Sequence, residues 1–263
     1  MDEFVGVVHR VLRRMAPAVS VIDLTHDVPP QDVRAGALTL WRAARWLTPG
    51  VVLAVVDPGV GTPRRAVAVE TAAGALVLVG PDNGLVTPAA HALGPPTRAV
   101  ALTDPRWHLR PQPVRDEGAT FDGRDVFAPV AAHLCNGVDL AELGEPVPVG
   151  ELAGGPLVLA GGETARVAQD GLDVEVLWVD RYGNVELGVR PATLDPLGTR
   201  IRLTTASAGR RVAVRARGYA ELGADRLGLI PDSADLLAIC LDRRSAAAAL
   251  GLAAGDTVHL GPA

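Results

Sequence analysis

Four clusters of polar residues, each following an apolar run, are the best candidates for chemistry in this sequence. They are residues 57–62 (DPGVGT), 80–84 (GPDNG), 120–125 (TFDGRD) and 180–184 (DRYGN). Their carboxylates are of the type that proteins use for general acid–base work. Each cluster also has a structural interpretation, as a turn or as a helix cap. The first is not a phosphate loop, because no GKS or GKT follows it.

The first cluster has the clearest setting. Residues 51–56 (VVLAVV) form a continuous apolar run that ends at Asp57, and Arg64 and Arg65 follow closely. Such a run, bounded by turn residues, predicts a central strand buried on both faces. Ligands of open α/β sheets bind beyond the carboxyl ends of the strands. Asp57 is therefore either a site residue or part of an ordinary polar turn.

The composition narrows the classes of function. The chain has 263 residues, is 48% hydrophobic and carries a formal net charge of -5. It contains no lysine, which excludes Schiff-base chemistry and a Walker lysine. The acidic balance argues against a nucleic-acid or anionic-membrane partner. Cys135 and Cys240 lack CxxC spacing, so we expect free thiols and no metal. Without a long apolar span or a signal peptide, a cytoplasmic protein is expected.

Helix and strand patterns alternate through the first half of the chain. Apolar spacing predicts strands at residues 19–24, 51–56, 66–70 and 75–79, and helices at 4–15, 30–46, 86–93 and 126–135. Residues 94–118, rich in proline and arginine, are expected to be irregular. Alternation at this spacing indicates βαβ units and a mostly parallel α/β sandwich.

The pattern changes near residue 144. Residues 144–162 are rich in glycine and proline, as expected of a linker. Short alternating segments follow at 165–169, 173–180, 184–189, 199–203, 211–215 and 257–260, with one helical pattern at 245–250. These segments predict a small β-barrel or sandwich. The predicted domains are residues 1–150 and 163–263.

Taken together, the motifs resemble one family. The strings IDLTHDVPPQDVRAG, VVDPGVGTPRRA, GPDNGL, TFDGRDVFAP, VDRYGNVEL and SADLLAICLDRRSAA occur in that family's order and cover nearly the whole chain. They are similar to motifs of the S-adenosyl-L-methionine hydroxide adenosyltransferases, relatives of the fluorinases and chlorinases. The resemblance implies an N-terminal α/β domain, a C-terminal β-barrel and no cofactor. It also implies a homotrimer that binds its substrate between domains of neighbouring subunits.

The reaction implied by the resemblance is attack of water-derived hydroxide on C5′ of S-adenosylmethionine, which gives adenosine and methionine. The family uses an Asp–Arg–His trio, and two of its members fall on Asp57 and Arg64. The third position is Asp122 here instead of histidine. A free aspartate has a pKa of about 3.9 and histidine about 6.5, so Asp122 is the weaker base. We hypothesise that Asp57 and Asp122 flank the water, and that two carboxylates sharing Arg64 push one carboxyl pKa upward.

Substrate contacts also follow from the resemblance. Asp180 corresponds to the residue that binds the methionine ammonium group, and Asn184 to the residue that meets the adenine edge. Ser233 corresponds to the residue that binds the carboxylate, although Ala234 stands where fluorinases have arginine. Ser233 and Arg244 are also compatible with ordinary barrel loops. The adenine-contacting turn corresponds to Arg244, Ser245 and Ala246.

The start of the chain departs from the family. Members open with a strand ending in Thr-Asp-Phe-Gly, whose aspartate binds the ribose hydroxyls. Residues 1–6 here align just after that strand. We expect either a misassigned start or the absence of that strand, and Asp2 is not expected to replace the ribose contact.

Two alternative functions stay open. One is a weak or inactive binding protein for S-adenosylmethionine or adenosine, since the family histidine is absent. The other is a halogenase. Fluorinases have an aromatic residue where Asp57 stands and a serine where Gly123 stands. A carboxylate repels a halide, so water is the favoured nucleophile.

Overall fold

A computed structural model describes residues 3–109, 120–155 and 165–263. The chain divides into two compact units, Met1–Leu157 and Val158–Ala263, which are described separately. The predicted domain limits stay a prediction, because residues 156–164 of the expected linker lie outside the described residues. Asp2 lies outside them as well. None of the helices in the described part of the chain is long and apolar enough to cross a membrane.

The first unit is an α/β structure, as predicted. Its helices are α1 (Phe4–Met15), α2 (Val33–Ala43), α3 (Thr87–Ala92) and α4 (Ala128–Cys135). Its strands are β1 (Gly50–Leu53), β2 (Ala66–Thr71), β3 (Leu76–Pro81), β4 (Arg98–Ala101) and β5 (Glu145–Pro146). Helix α2 begins three residues later than expected. Asp32 caps it by accepting a 2.8 Å hydrogen bond from the backbone N–H of Ala35.

The strand order of this unit is β1-β3-β2-β4-β5. The expectation of a mostly parallel sheet is wrong: among the described strands of this sheet, β1 and β3 pair in parallel and the other neighbours are antiparallel. The physical reason is the connection between β2 and β3, a short turn at Ala72–Gly74. A parallel pair needs a long crossover, which so short a turn cannot supply.

Three strand predictions need correction. The expected central strand ends at Leu53 and lies at the edge of the described sheet, half-buried. Residues 19–24 are described and form no strand, because no described strand pairs with them and Ile22 is 81% exposed. The stretch expected to be irregular contains β4, which pairs with β2. Residues 110–119 of that stretch lie outside the described residues.

Helices cover both faces of this sheet. On one face Val67 and Val69 of β2 pack in a core with Leu40 of α2 and with Ala89 of α3. On the other face Ala68 packs in a core with Val130 of α4, beside which helix α1 also lies. Successive strand residues point to opposite faces, which is why neighbouring residues of β2 enter different cores.

The second unit is a closed β-barrel, which confirms that prediction. Its elements are β6 (Arg166–Ala168), β7 (Gly171–Val179), β8 (Val185–Leu187), β9 (Arg200–Thr205), β10 (Gly209–Arg215), β11 (Leu227–Pro231), β12 (Leu237–Cys240), α5 (Ala246–Leu250) and β13 (Thr257–Pro262). The ring runs β7-β13-β9-β10-β11-β12-β8 and closes on β7, while β6 pairs with β7 outside it. Val176, Leu203 and Leu229 are fully buried in its core.

Candidate active site

A tight loop after β1 brings Arg64 back against Asp57. The backbone N–H of Val60 donates to the Asp57 carbonyl at 3.3 Å, and that of Thr62 donates to the Gly59 carbonyl at 3.1 Å. Gly61 has a φ of 77°, a left-handed conformation that glycine adopts without strain. The loop sequence DPGVGT therefore builds the turn that places an arginine beside the carboxylate.

Arg64 bridges two carboxylates. Its Nε donates to Asp57 Oδ1 at 2.9 Å, and its Nη2 donates to Asp57 Oδ2 and, at 2.6 Å, to Asp122 Oδ2. The exposed fractions of the three side chains are 12% for Arg64, 7% for Asp57 and 14% for Asp122. Two carboxylates and one guanidinium leave a formal negative charge in a largely dehydrated cluster, where electrostatic interactions are strong. The sequence prediction placed these three residues together, and the structure does so.

The local electrostatics keep Arg64 charged. Burial lowers its pKa, but the hydrogen bonds to Asp57 and then to Asp122 outweigh burial, so the pKa is raised above its usual value. The guanidinium also lies over the ring of Phe127, with Cζ 5.3 Å from the ring centroid. Arg64 is thus a permanent cation with a fixed orientation.

Asp122 precedes a π-helical turn at Gly123–Phe127, which leads into α4. Its side chain makes no capping bond to this turn and contacts Arg64 instead, so the helix-cap interpretation fails for Asp122. Single π-turns occur frequently at functional sites. A Cβ atom on Gly123 would lie 2.6 Å from Cζ of Phe4, so a larger residue at this position requires Phe4 to move.

The GPDNG cluster has a structural role, in agreement with its interpretation as a turn. Asn83 Nδ2 donates to the carbonyl of Val56, next to Asp57, at 2.9 Å. Asp82 Oδ2 accepts from Arg65 Nε at 2.8 Å, and its Oδ1 accepts from the backbone N–H of Ala153 at 2.8 Å. This cluster holds the strand end and Arg65, and so supports the loop that carries the site.

Two residues were not predicted from the sequence: Phe127, which packs against Arg64, and His108, whose pKa responds to the charge of Asp122. His108 Nε2 lies 3.2 Å from the Leu102 carbonyl, and its Nδ1 is buried with no partner among the described residues. Burial lowers the His108 pKa; the Leu102 hydrogen bond and the charge of Asp122 raise it, but burial outweighs them. No local signal marked His108, because it lies in a stretch that looked irregular.

In the barrel, the DRYGN cluster connects β7 to β8. Asp180 Oδ1 accepts from the backbone N–H groups of Tyr182, at 2.8 Å, and of Asn184, at 2.9 Å. Asn184 is buried, and its Nδ2 donates to Asp180 Oδ2 at 2.8 Å and to Tyr219 Oη at 3.0 Å. Burial, followed by the neighbouring Cys240, raises the Tyr219 pKa to about 12. The turn interpretation of this cluster is therefore correct, and the turn also holds two of the predicted binding residues, Asp180 and Asn184.

Ser245 and Ala246 lie against the same hairpin. A Cβ atom on Gly183 would lie 2.1 Å from Ser245 Oγ, so only glycine fits there. The backbone N–H of Ala247 donates to the Gly183 carbonyl at 2.9 Å, and Ser245 caps α5 through a 3.0 Å bond from Ala248. The structure thus brings together four of the six predicted substrate residues, Asp180, Asn184, Ser245 and Ala246.

The side chains of the other two predicted substrate residues, Ser233 and Arg244, are not among these contacts with the hairpin. Ser233 is in the turn between β11 and β12. Asp232 organises that turn, because its Oδ1 accepts from the backbone N–H groups of Ala234 and Leu236 at 2.7 and 2.9 Å. Arg244 is exposed and pairs with Asp225 on the barrel surface.

Solved structures share this architecture over nearly the whole chain. The crystal structure of an uncharacterized conserved protein from Thermotoga maritima superposes with a TM-score of 0.83 at 30% identity, covering 98% of this chain and 95% of that one. That of a conserved hypothetical protein from Thermus thermophilus has a TM-score of 0.74 at 38% identity, covering 98% and 94%. The chain is thus one of a class of proteins that join an α/β unit to a β-barrel.

The family is identified by two matching models, the SAM hydroxide adenosyltransferase N-terminal domain over residues 1–144 and C-terminal domain over residues 174–259. The chain belongs to the SAM hydroxide adenosyltransferase family. Proteins named (R)-S-adenosyl-L-methionine hydrolase from Salinispora tropica and Thermus thermophilus are 43% and 46% identical, over 98% of this chain and 93% and 94% of their own. A fluorinase from Nocardia brasiliensis is 25% identical, over 77% of this chain and 73% of its own.

Proposed function

We propose that this protein hydrolyses S-adenosyl-L-methionine to adenosine and L-methionine. The observation that carries the proposal is the buried cluster in which Arg64 bridges Asp57 and Asp122. Family membership supports the substrate, since relatives named (R)-S-adenosyl-L-methionine hydrolase match 98% of this chain. The reaction forms a bond between water oxygen and C5′, breaks the C5′–S bond with its electron pair going to sulfur, and releases one proton.

The chemistry suits a cluster that lacks a general acid. A sulfonium leaves as a neutral thioether, so the leaving group needs no proton. What the reaction needs is a water molecule held in line with the C5′–S bond and a group that accepts its proton. In our proposal Asp57 and Asp122 accept hydrogen bonds from this water, and Arg64 fixes the separation of the two carboxylates.

Asp122 replaces the imidazole that the family uses. We propose that proximity compensates for its weaker basicity: two carboxylates sharing one guanidinium leave a net negative charge that favours departure of the proton. No metal or other cofactor is required, because substrate activation lies in the sulfonium itself.

We further propose that the barrel residues bind substrate as the family motifs imply. Asp180 would bind the methionine ammonium, Asn184 the adenine edge and Ser233 the carboxylate. Arg244, Ser245 and Ala246 would form the turn against adenine. The same motifs support a homotrimer whose active site combines residues of two subunits.

Halogenation is the competing chemistry, and the similarity to a fluorinase is the reason to consider it. Two features disfavour it. A buried carboxylate at Asp57 repels a halide, and Gly123 is packed so closely under Phe4 that the serine of fluorinases does not fit without a shift. A binding protein without activity is the other alternative.

One experiment separates the three functions. Purified protein is incubated with S-adenosylmethionine, with and without chloride or fluoride, and the products are separated by chromatography. We expect adenosine and methionine in equal amounts under all conditions, and none from the Asp57→Asn variant. A 5′-halogenated adenosine would establish a halogenase, and calorimetric binding without turnover would establish a binding protein.

A further inference from the structure

A second cluster of ionisable side chains lies outside the proposed active site. His9 on α1 faces a segment after that helix that carries Asp23 and His26. His9 Nε2 is 2.8 Å from Asp23 Oδ1, and His26 Nε2 is 3.2 Å from the same oxygen. One ligand atom from each residue lies within 4.8 Å of the other two. The three donors therefore converge on one point.

These donors are those of a transition-metal site. Imidazole nitrogen and carboxylate oxygen are common ligands of Zn²⁺, at about 2.0–2.2 Å. Ligands at that distance in a tetrahedron are about 3.3 Å apart. The two imidazole nitrogens lie 2.8 and 3.2 Å from Asp23 Oδ1, which is close to that spacing. Small side-chain rotations are enough to open room for an ion, because all three side chains are partly exposed, by 39%, 45% and 47% for His9, Asp23 and His26.

The charge state of the cluster also suits a cation. Aspartate has an ordinary pKa of about 3.9, so Asp23 is a carboxylate at neutral pH. Each imidazole presents Nε2 toward the shared oxygen. The exposure of the cluster leaves a further coordination position for water.

We propose that His9, Asp23 and His26 bind a divalent transition metal ion of the Zn²⁺ type. The ion links helix α1 to residues 19–27, a segment without helix or strand whose Ile22 is 81% exposed. A link of this kind stabilises the folded chain, because the three residues are not preassembled in the unfolded chain. The spacing of residues in the sequence did not indicate this site, because it contains no cysteine and its two histidines become neighbours only in the folded chain.

The test uses the full chain without a histidine tag, stripped of metal by a chelator. Titration with ZnCl2 is followed by calorimetry and by thermal melting. We expect about one Zn²⁺ per chain and an upward shift of Tm. A large excess of Mg²⁺ should not compete, since Mg²⁺ prefers an all-oxygen site.

Single variants assign the binding to the cluster. His9→Gln and His26→Gln should each weaken Zn²⁺ binding at least about tenfold and abolish the Tm shift. His91→Gln, which alters an exposed histidine of α3, is the matched control and should bind like the parent. Asp23→Asn provides a third test if one histidine variant proves unstable. Equal Zn²⁺ affinity in the parent and the His9 and His26 variants, or no binding by the parent, would overturn the proposal.

Discussion

The carboxylates of the Arg64 cluster and the carboxylate of the DRYGN turn are held in different ways. In the α/β unit, Asp57 and Asp122 are both held by a single guanidinium, that of Arg64. In the barrel, Asp180 is held by backbone N–H groups and by the Asn184 amide. The first arrangement leaves excess charge in a buried place, which suits the activation of water. The second is a satisfied hydrogen-bonded turn, which suits a rigid binding surface.

This contrast predicts the largest loss from Arg64. Arg64→Met leaves two buried carboxylates without their cation, which costs about 3–5 kcal/mol of unfolding free energy. Activity should fall by about 10²–10³-fold or more, even under conditions where the variant is folded. Urea denaturation and initial rates with S-adenosylmethionine measure the two effects.

The matched pair for this test is Arg64→Lys and Arg65→Lys. Lysine cannot form the forked contacts of Arg64, whereas Arg65 is partly exposed and serves Asp82 and Glu151. Arg64→Lys should lose most activity and Arg65→Lys little. Equal losses in both variants would mean that the loop, and not the buried cation, limits the reaction.

Asp122→His introduces the histidine that the family motif implies at this position, and it tests the role of the second carboxylate. We expect hydrolysis to be retained or faster, since imidazole is the stronger base. The pH–rate profile should gain dependence on a group titrating near the histidine pKa of about 6.5. Asp125→His, at a neighbouring carboxylate paired with Arg124, is the control and should not change that profile.

A folded but inactive Asp122→His enzyme would count against the assigned role of Asp122. Circular dichroism and the melting temperature establish whether that variant is folded.

Effects in the barrel should be smaller and should appear mainly in KM. Asn184→Ala removes the amide that joins Asp180 to Tyr219, and leaving such buried groups unpaired costs about 1–3 kcal/mol. Tyr219→Phe removes one of these hydrogen bonds and should lower the unfolding free energy by about 1 kcal/mol. If either variant lowered kcat with KM unchanged, the barrel turn would belong to the chemistry and not to binding.

The smallest predicted effect is a loss of stability in mild acid. Burial lowers the pKa of both His108 and His133 below the usual histidine value. The unfolded chain then binds more protons than the folded chain as pH falls through about 6.5, so the unfolding free energy decreases with acidity.

The slope of stability against pH should correspond to less than about one proton for each histidine. Urea titrations between about pH 7.5 and pH 5 measure this slope. His108→Gln and His133→Gln should each flatten it, whereas His91→Gln should not. A slope unchanged in all three variants would show that carboxylates alone set the acid response.

The active-site cluster could be predicted from the sequence because each of its residues lies within a contiguous motif. Asp57, Arg64 and Asp122 come from strings that keep their order and spacing, so their meeting could be predicted. Tyr219 could not be predicted, because its importance arises from a contact with the distant residue Asn184, and no motif marks His108. The sequence indicated the turn with Asp180 and Asn184, but it did not indicate that Tyr219 accepts a hydrogen bond from Asn184.

The fold, like the site, was predictable from the sequence only in part. Local periodicity predicts that a segment is extended, but not which strand pairs with it or in which direction. Residues 19–24 have strand-like composition yet lack a described partner, and β2 and β3 form an antiparallel hairpin instead of a βαβ unit. Strand β12 (LAIC) was missed because it is buried throughout and therefore shows no alternation of apolar and polar residues.

In the proposed reaction, water attacks C5′ of S-adenosylmethionine beside Asp57 and Asp122. The most direct measurement is hydrolysis in water enriched in oxygen-18, followed by mass spectrometry of both products. We expect the label in the 5′ hydroxyl of adenosine and none in methionine. Unlabelled adenosine, or label in the amino-acid product, would contradict it.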